Sequence, residues 1–413
     1  MSDAESYFQS GNAHLKKGEL DLAIADFTKA IKLKPKYAKA YYNRGLAYAG
    51  KEKFDDAITD FTKAIELKPN AAAAYNNRGI AYGEKGEFDR AIADFTKVIE
   101  LNPELAAAYY NRGVAYYEKG DFDRAIADYT KVIELNPNDA VAYYNRAVAY
   151  ARKDEFDRAI ADYTTAIELK PNDAAAYNNR GIAYAEKGEL VRAIADFTKA
   201  IELNPKYAAA YFNRGNAYAR KGEFDRAIAD YTKAIELKPD DAEAYNNRGS
   251  AYDAKGEFDR AIGDFTKAIE LKPELAKAYY YRGIAYARKG ELRRALLEFE
   301  NGAKLASPDD ITRLWTIYAR YLWARSKAQN EIWDVYRTAQ FNEILKIKPQ
   351  DSPECSKELT LLISEIDDLI NRNEKNLNGF KKDASKKQER ERKVLKTAYY
   401  LKGIFSYQLN NHI

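Results

Sequence analysis

From residue 106 the chain reads AAAYYNRGVAYYEKGDFDRAIADYTKVIELNPND, and its apolar and small residues fall into two runs of helical spacing. Tyr109, Gly113 and Tyr116 line one face of a first helix, A; Ala125, Tyr129 and Val132 line one face of a second, B. Gly120 separates them and suits the left-handed residue that closes a helix. Asp121 opens the next turn, where negative charge meets the positive end of the helix dipole. Pro137 ends helix B because it lacks the amide hydrogen that a further turn would need. The stretch therefore predicts a helix–turn–helix hairpin.

The same pattern returns every 34 residues. Pro35, Pro69, Pro103, Pro137, Pro171, Pro205, Pro239 and Pro273 keep that spacing without a slip, and nine units begin near residues 4, 38, 72, 106, 140, 174, 208, 242 and 276. A fixed period of this length marks an array of supersecondary units whose core is shared between neighbours. Position 4 of the unit is Tyr in all nine, position 8 is Gly in all but Ala147, position 20 is Ala from Ala23 to Ala295, and position 24 is Phe or Tyr from Phe27 to Phe299. These residues at these places resemble the tetratricopeptide repeat (TPR) family over about residues 4–308, the ninth proline arriving one residue late at Pro308. Tyr replaces the family's usual Trp at position 4, and Arg its usual Leu at position 7. The resemblance implies an all-α, right-handed superhelical solenoid of stacked hairpins with a concave wall lined by A-helix positions 2, 5, 6, 9, 12 and 13.

Small residues at positions 8 and 20 predict close approach of helices A and B, with the aromatics at 4, 11 and 24 filling the space beside them. Position 7 is arginine from Arg44 to Arg282, and position 23 is acidic in every unit, from Asp26 to Glu298. That match predicts a ladder of charge-assisted bonds within or between units rather than a phosphate-binding stripe. The chain's 67 basic and 63 acidic residues are nearly balanced, which also argues against nucleic acid as the main ligand. His14, at position 11 of the first unit, is expected to be a satisfied or exposed histidine rather than a metal ligand.

On the implied concave wall, position 6 is asparagine in seven consecutive units: Asn43, Asn77, Asn111, Asn145, Asn179, Asn213 and Asn247. An amide offers both a donor and an acceptor, as a peptide bond does. A row of them could hold an extended peptide by its backbone, and it is similar to the asparagine ladder of the TPR domain in O-linked N-acetylglucosamine transferases. Position 5 alternates between aromatics (Tyr42, Tyr110, Tyr144, Phe212, Tyr280) and amides (Asn76, Asn178, Asn246), and position 9 is aliphatic at Ile80, Val114, Val148 and Ile182. Aromatic anchors beside adaptable amides are the chemistry of protein interfaces, so these asparagines and aromatics form the predicted peptide-binding set. The carboxylate clamp of co-chaperone TPR domains is not reproduced: Phe8, Asn12, Asn43, Ala73 and Asn77 stand at its places, and every basic group is missing.

After Pro308 the pattern breaks. Residues 309–350 carry Trp315, Trp323 and Trp333 and read as a divergent TPR-like capping unit; 351–413 reads as a C-terminal helical segment. Its run 381–396 holds eight basic and three acidic residues, a net of +5 that leaves the rest of the chain at −1. The polar N-terminus, a lone Cys355 and the want of an 18-residue apolar stretch predict a cytoplasmic chain without a membrane span. With only His14, His412 and Cys355, and no phosphate-cradling loop or nucleophile elbow, no catalytic residue, metal site or cofactor is predicted. The expected role is a non-enzymatic scaffold that binds extended protein or peptide partners along the groove, with self-association through the solenoid ends left open. Two alternatives stand beside it: an RNA-associated repeat protein using Arg282, Arg288 and the basic run, and a regulatory subunit of a separate enzyme.

Overall fold

The computed structural model describes residues 2–305, which divide after Pro205 between two compact units. The described residues are all-α, with eighteen helices in consecutive antiparallel pairs and no strand. Six hairpins make up the first unit: α1 (Asp3–Lys16) with α2 (Leu20–Leu33), α3 (Ala38–Gly50) with α4 (Phe54–Leu67), α5 (Ala72–Glu84) with α6 (Phe88–Leu101), α7 (Ala106–Glu118) with α8 (Phe122–Leu135), α9 (Ala140–Arg152) with α10 (Phe156–Leu169), and α11 (Ala174–Glu186) with α12 (Leu190–Leu203). Three more stand in the second: α13 (Ala208–Arg220) with α14 (Phe224–Leu237), α15 (Ala242–Ala254) with α16 (Phe258–Leu271), and α17 (Ala276–Lys289) with α18 (Leu292–Leu305). The expected capping unit, the C-terminal segment with its basic run, Pro308, Cys355 and His412 lie outside the described residues.

Steric fit explains the hairpin. A methyl group added at Gly45 would come within 2.7 Å of the Phe61 ring, so glycine at position 8 lets helix A settle onto the position-24 aromatic. Position 20 is as tightly enclosed: Ala57, Ala91, Ala125 and Ala159 are all fully buried. The next hairpin closes the space. Ala91 and Phe95 share a core cluster with Ala115 of α7, and Ala227 and Tyr231 share one with Ala251 of α15. One hairpin alone would leave these faces in water, which is why the array is the folding unit.

Between helices A and B the chain turns through a left-handed residue, Gly120 at φ +79° among others. Two units place a side chain there, Glu52 at φ +58° and Asp154 at φ +61°. Asp121 accepts a hydrogen bond from the Arg124 amide at 3.2 Å, capping α8 as its place at the helix start predicts.

The charge ladder is present, and its geometry assigns each partner. Arg44 donates from Nε and Nη2 to both carboxylate oxygens of Asp60 in its own hairpin, at 2.7 and 2.8 Å, and from Nη1 to Thr28 Oγ1 of the preceding hairpin at 2.9 Å. Arg78, Arg112, Arg146 and Arg180 repeat this in the first unit, and Arg248 repeats it in the second. The aspartates are buried, Asp60 to 3% exposure, and their hydrogen bonds hold the arginine pKa values above the ordinary range. Tyrosines at positions 4 and 11 flank the guanidinium: the Arg78 carbon lies 5.5 Å from the Tyr75 ring centre and 5.9 Å from that of Tyr82. These arginines are therefore structural.

A second, exposed ladder runs from lysine at position 14 to aspartate at position 18 of the preceding hairpin, as in Lys85–Asp55 and Lys187–Asp157 at 2.5 Å. In the sixth hairpin Val191 replaces that aspartate and lies 72% exposed. The first hairpin departs in another way: Ser10 stands where the arginine would be and donates to Asp26 at 2.6 Å, while His14 Nδ1 lies 2.5 Å from Glu19.

Candidate functional site

The A-helix face carries the predicted set, and the structure shows what six of its seven asparagines do. Asn77 donates from Nδ2 to the Tyr42 hydroxyl at 2.8 Å, Asn145 to the Tyr110 hydroxyl at 3.0 Å, and Asn179 to the Tyr144 hydroxyl at 2.8 Å. Asn111 donates to Asn76 Oδ1 at 3.2 Å, Asn43 to Asn12 Oδ1 at 2.5 Å, and Asn247 to Asn216 Oδ1 at 2.9 Å. In each case the acceptor sits on the A helix one hairpin back. One amide hydrogen per asparagine therefore stitches neighbouring hairpins together, a structural task that the residue pattern alone did not reveal.

What remains of each amide differs along the row. Where the neighbour at position 5 is Asn178 or Asn246, its own Nδ2 donates to Oδ1 of Asn179 or Asn247 at 3.1 Å, so those carbonyl oxygens are already engaged. In Asn43, Asn77, Asn111 and Asn145 the Oδ1 atom accepts no hydrogen bond from the described residues, and all four side chains are half-buried rather than enclosed. The Nδ2 bond holds each side chain while its acceptor stays unengaged. Asn213 is half-buried on α13.

The aromatics at position 5 are half-buried and lean on the position-24 rings of their own hairpins. Tyr42 lies 5.8 Å from Phe61, Tyr110 6.0 Å from Tyr129, Tyr144 5.7 Å from Tyr163, Phe212 5.9 Å from Tyr231, and Tyr280 5.9 Å from Phe299, between ring centres. At position 9, Ile80 and Ile182 stay open to solvent, at 42% and 38%, and Val114 and Val148 are half-buried. The first unit thus combines oriented amide oxygens, phenol rings and accessible aliphatic groups on one face. Such a face can hydrogen-bond a polypeptide main chain and cover its apolar side chains at once.

In the second unit the same face turns polar, with Asn216, Asn246, Asn247, Ser250 and Asp253 on α13 and α15. Asp253 occupies position 12, where Ala49, Gly83, Ala151 and Ala219 stand elsewhere, and its carboxylate meets Arg288 of α17. Burial pushes the Asp253 carboxyl above its ordinary value, against the pull of Arg288. Arg282 donates to Glu298 at 2.7 Å and Thr266 at 3.0 Å. The two arginines that an RNA reading would use are therefore both paired within the fold. Among the described residues no group of three His, Cys, Asp or Glu side chains could hold a metal ion, and no helix is long and apolar enough to cross a membrane.

The comparisons agree with this architecture. The tetratricopeptide repeat family matches residues 38–71, 106–139, 140–173 and 242–275, with a further match at 61–93 and 162–195, and the family described as TPR repeat matches 11–51, 81–120, 183–222 and 215–256. Placed end to end, these matches run from residue 11 to residue 275 without a gap. No curated protein matches the chain in sequence. Among solved structures, the C-terminal part of a TPR repeat-containing protein from Cytophaga hutchinsonii is similar at a TM-score of 0.52 and 22% identity, covering 58% of this chain and 98% of its own. YrrB, described as a TPR protein with an unusual peptide-binding site, is similar at a TM-score of 0.40 and 28% identity, covering 45% of this chain and 95% of its own. MamA is similar at 0.38 and 36% identity, covering 40% and 96%. With its hairpins, its repeat residues and matches covering most of its length, the chain belongs to the tetratricopeptide repeat family.

Proposed function

We propose that this protein is an interaction scaffold that binds an extended polypeptide segment along the A-helix face of hairpins two to five. One observation carries the reading. Asn43, Asn77, Asn111 and Asn145 are each oriented by an Nδ2 bond to the hairpin before, yet keep an accessible Oδ1 without a partner among the described residues. A main-chain N–H can meet such an oxygen without regard to side-chain sequence. Ile80, Val114 and Val148 lie beside the row and add apolar contact. Preorganised acceptors lose little freedom on binding, which favours capture of a segment that is itself unstructured.

The test is a selection of random 12-residue peptides on the full chain, followed by fluorescence anisotropy of an enriched peptide. Asn77→Ala, Asn111→Ala and Asn145→Ala combined should weaken binding at least tenfold. Asn179→Ala with Asn247→Ala, whose oxygens are already engaged, should leave it near the parent value. Melting curves of both variants separate lost contact from lost structure. Equal weakening by the two variants, or a selection that enriches nothing, would overturn the reading.

A further inference from the structure

Three hairpins carry tyrosine rather than phenylalanine at position 24, and their hydroxyls meet different surroundings. Tyr231 shows where such a hydroxyl ends: it donates to Asn216 Oδ1 at 2.7 Å, at position 9 of its own A helix. Tyr163 faces a valine at position 9, Val148, but has the Asn179 side chain near its hydroxyl. In the fourth hairpin the corresponding pair is Tyr129 and Val114, and valine cannot accept a hydrogen bond. The Tyr129 hydroxyl is bonded to none of the described residues, although the side chain is only 2% exposed. It is not among the fully occluded polar atoms that lack a partner, so the little of Tyr129 that remains accessible includes that hydroxyl.

Its surroundings restrict what could meet it. The Tyr110 ring lies 6.0 Å away between centres, and Tyr110 in turn holds Asn145, whose Oδ1 is unengaged. Burial, with Tyr110, Tyr117 and Glu118 nearby, pushes the Tyr129 pKa far up, so the phenol stays neutral and donates. Glu118 also disfavours a second anion at this place. A partner must therefore accept from the phenol without carrying negative charge, and one that also donates would satisfy Asn145. An amide group does both.

Resting on the groove reading above, we propose that hairpin four holds a subsite for one neutral amide of the bound segment, its oxygen accepting from the Tyr129 hydroxyl and its N–H donating to Asn145 Oδ1. The amide comes either from the main chain or from an Asn or Gln side chain, and the experiment distinguishes the two.

The probe is the 12-residue peptide enriched above, used with the full chain. Tyr129→Phe removes the hydroxyl alone, and it folds on precedent, since Phe61, Phe95 and Phe197 occupy position 24 in other hairpins. It should weaken the peptide about three- to tenfold at an unchanged melting temperature. Val114→Asn recreates the Tyr231–Asn216 pair, occupies the hydroxyl from within, and should weaken binding by at least as much without loss of stability. Replacing each Asn or Gln of the peptide with Ala, and separately each main-chain amide with an ester, locates the source: one replacement should weaken the parent protein and have no further effect on Tyr129→Phe. If the peptide binds Tyr129→Phe or Val114→Asn as tightly as the parent, or if no replacement couples to Tyr129, the subsite is wrong while the groove stands. An empty selection overturns both.

Discussion

Hairpins two to five and hairpins eight and nine follow one 34-residue plan, yet they differ in what they leave unpaired. In the earlier stretch the unengaged groups include accessible amide oxygens on the A-helix face. In the later one they are buried: Asn246 Oδ1, Asp253 Oδ1 and Arg282 Nε have no partner among the described residues. Each orphan traces to one departure from the repeat. Asn76 Oδ1 receives the Nδ2 of Asn111 from the next hairpin, but the residue in that place after Asn246 is Tyr281, whose ring stacks on Phe265 at 5.9 Å. Asp253 brings two carboxylate oxygens where the other hairpins have mostly alanine or glycine, and Arg288 meets only one of them. Arg248 Nε reaches Asp264 at 2.7 Å, whereas the longer Glu298 leaves Arg282 Nε alone. The polar positions of the repeat are thus a matched set shared between hairpins. The matches hold neighbouring hairpins together, and accessible groups are left over where the matching is complete.

The largest effect should come from breaking a match in the earlier stretch. Asp128→Ala strands the half-buried Arg112 guanidinium and its link to Thr96, and should cost about 3–5 kcal/mol. Loss of amide-exchange protection centred on α7 and α8 would show it; protection equal to the parent's would refute the structural role of the ladder.

Removing a mismatch in the later stretch should do the reverse. Asp253→Ala, which installs the commonest residue of that place, should stabilise hairpins eight and nine by about 1–3 kcal/mol at neutral pH. The sign with pH follows from burial, which raises the folded pKa of Asp253. A carboxyl raised in this way favours the fold below its unfolded pKa, and that contribution is lost as pH climbs through the folded one. The gain from Asp253→Ala should therefore shrink as pH falls through that range. A gain that grows toward acid would mean that Arg288 neutralises the carboxylate fully.

Most of the fold was legible because steric rules act locally. Gly120, Pro137 and the small residues at positions 8 and 20 announce turn, stop and close approach without reference to neighbours. The arginine–acid ladder was legible as well, since two opposite charges repeated in phase have few other uses. The site was legible only in outline. The row of asparagines stands out, but residue type does not say whether an amide oxygen is engaged: Asn178 and Asn246 fill the oxygens of Asn179 and Asn247, whereas Asn76 leaves that of Asn77 unengaged. The surroundings of the Tyr129 hydroxyl were not legible either, since Tyr129/Val114 and Tyr163/Val148 are the same pair in sequence, and only Tyr231 has an acceptor, Asn216, at position 9.

Glu298→Asp is the mildest way to sharpen the comparison. It shortens the carboxylate to the length that the other hairpins use, at a position that is already buried. If the backbone of α17 and α18 holds the spacing seen in the preceding hairpin, both oxygens should meet Arg282, and Nε should gain the bond that Arg248 makes. One added charge-assisted hydrogen bond to a buried donor contributes about 1.5 kcal/mol, and aspartate's lower helix propensity takes back about 0.3–0.5 kcal/mol. A net gain near 1 kcal/mol is expected, visible as slower amide exchange in α17. Arg282→Lys has no Nε to leave orphaned, so in that background the same Glu298→Asp change should bring no gain. An equal gain there would place the benefit somewhere other than Nε, and the orphan would then be a tolerated feature of the ninth hairpin rather than its weakness.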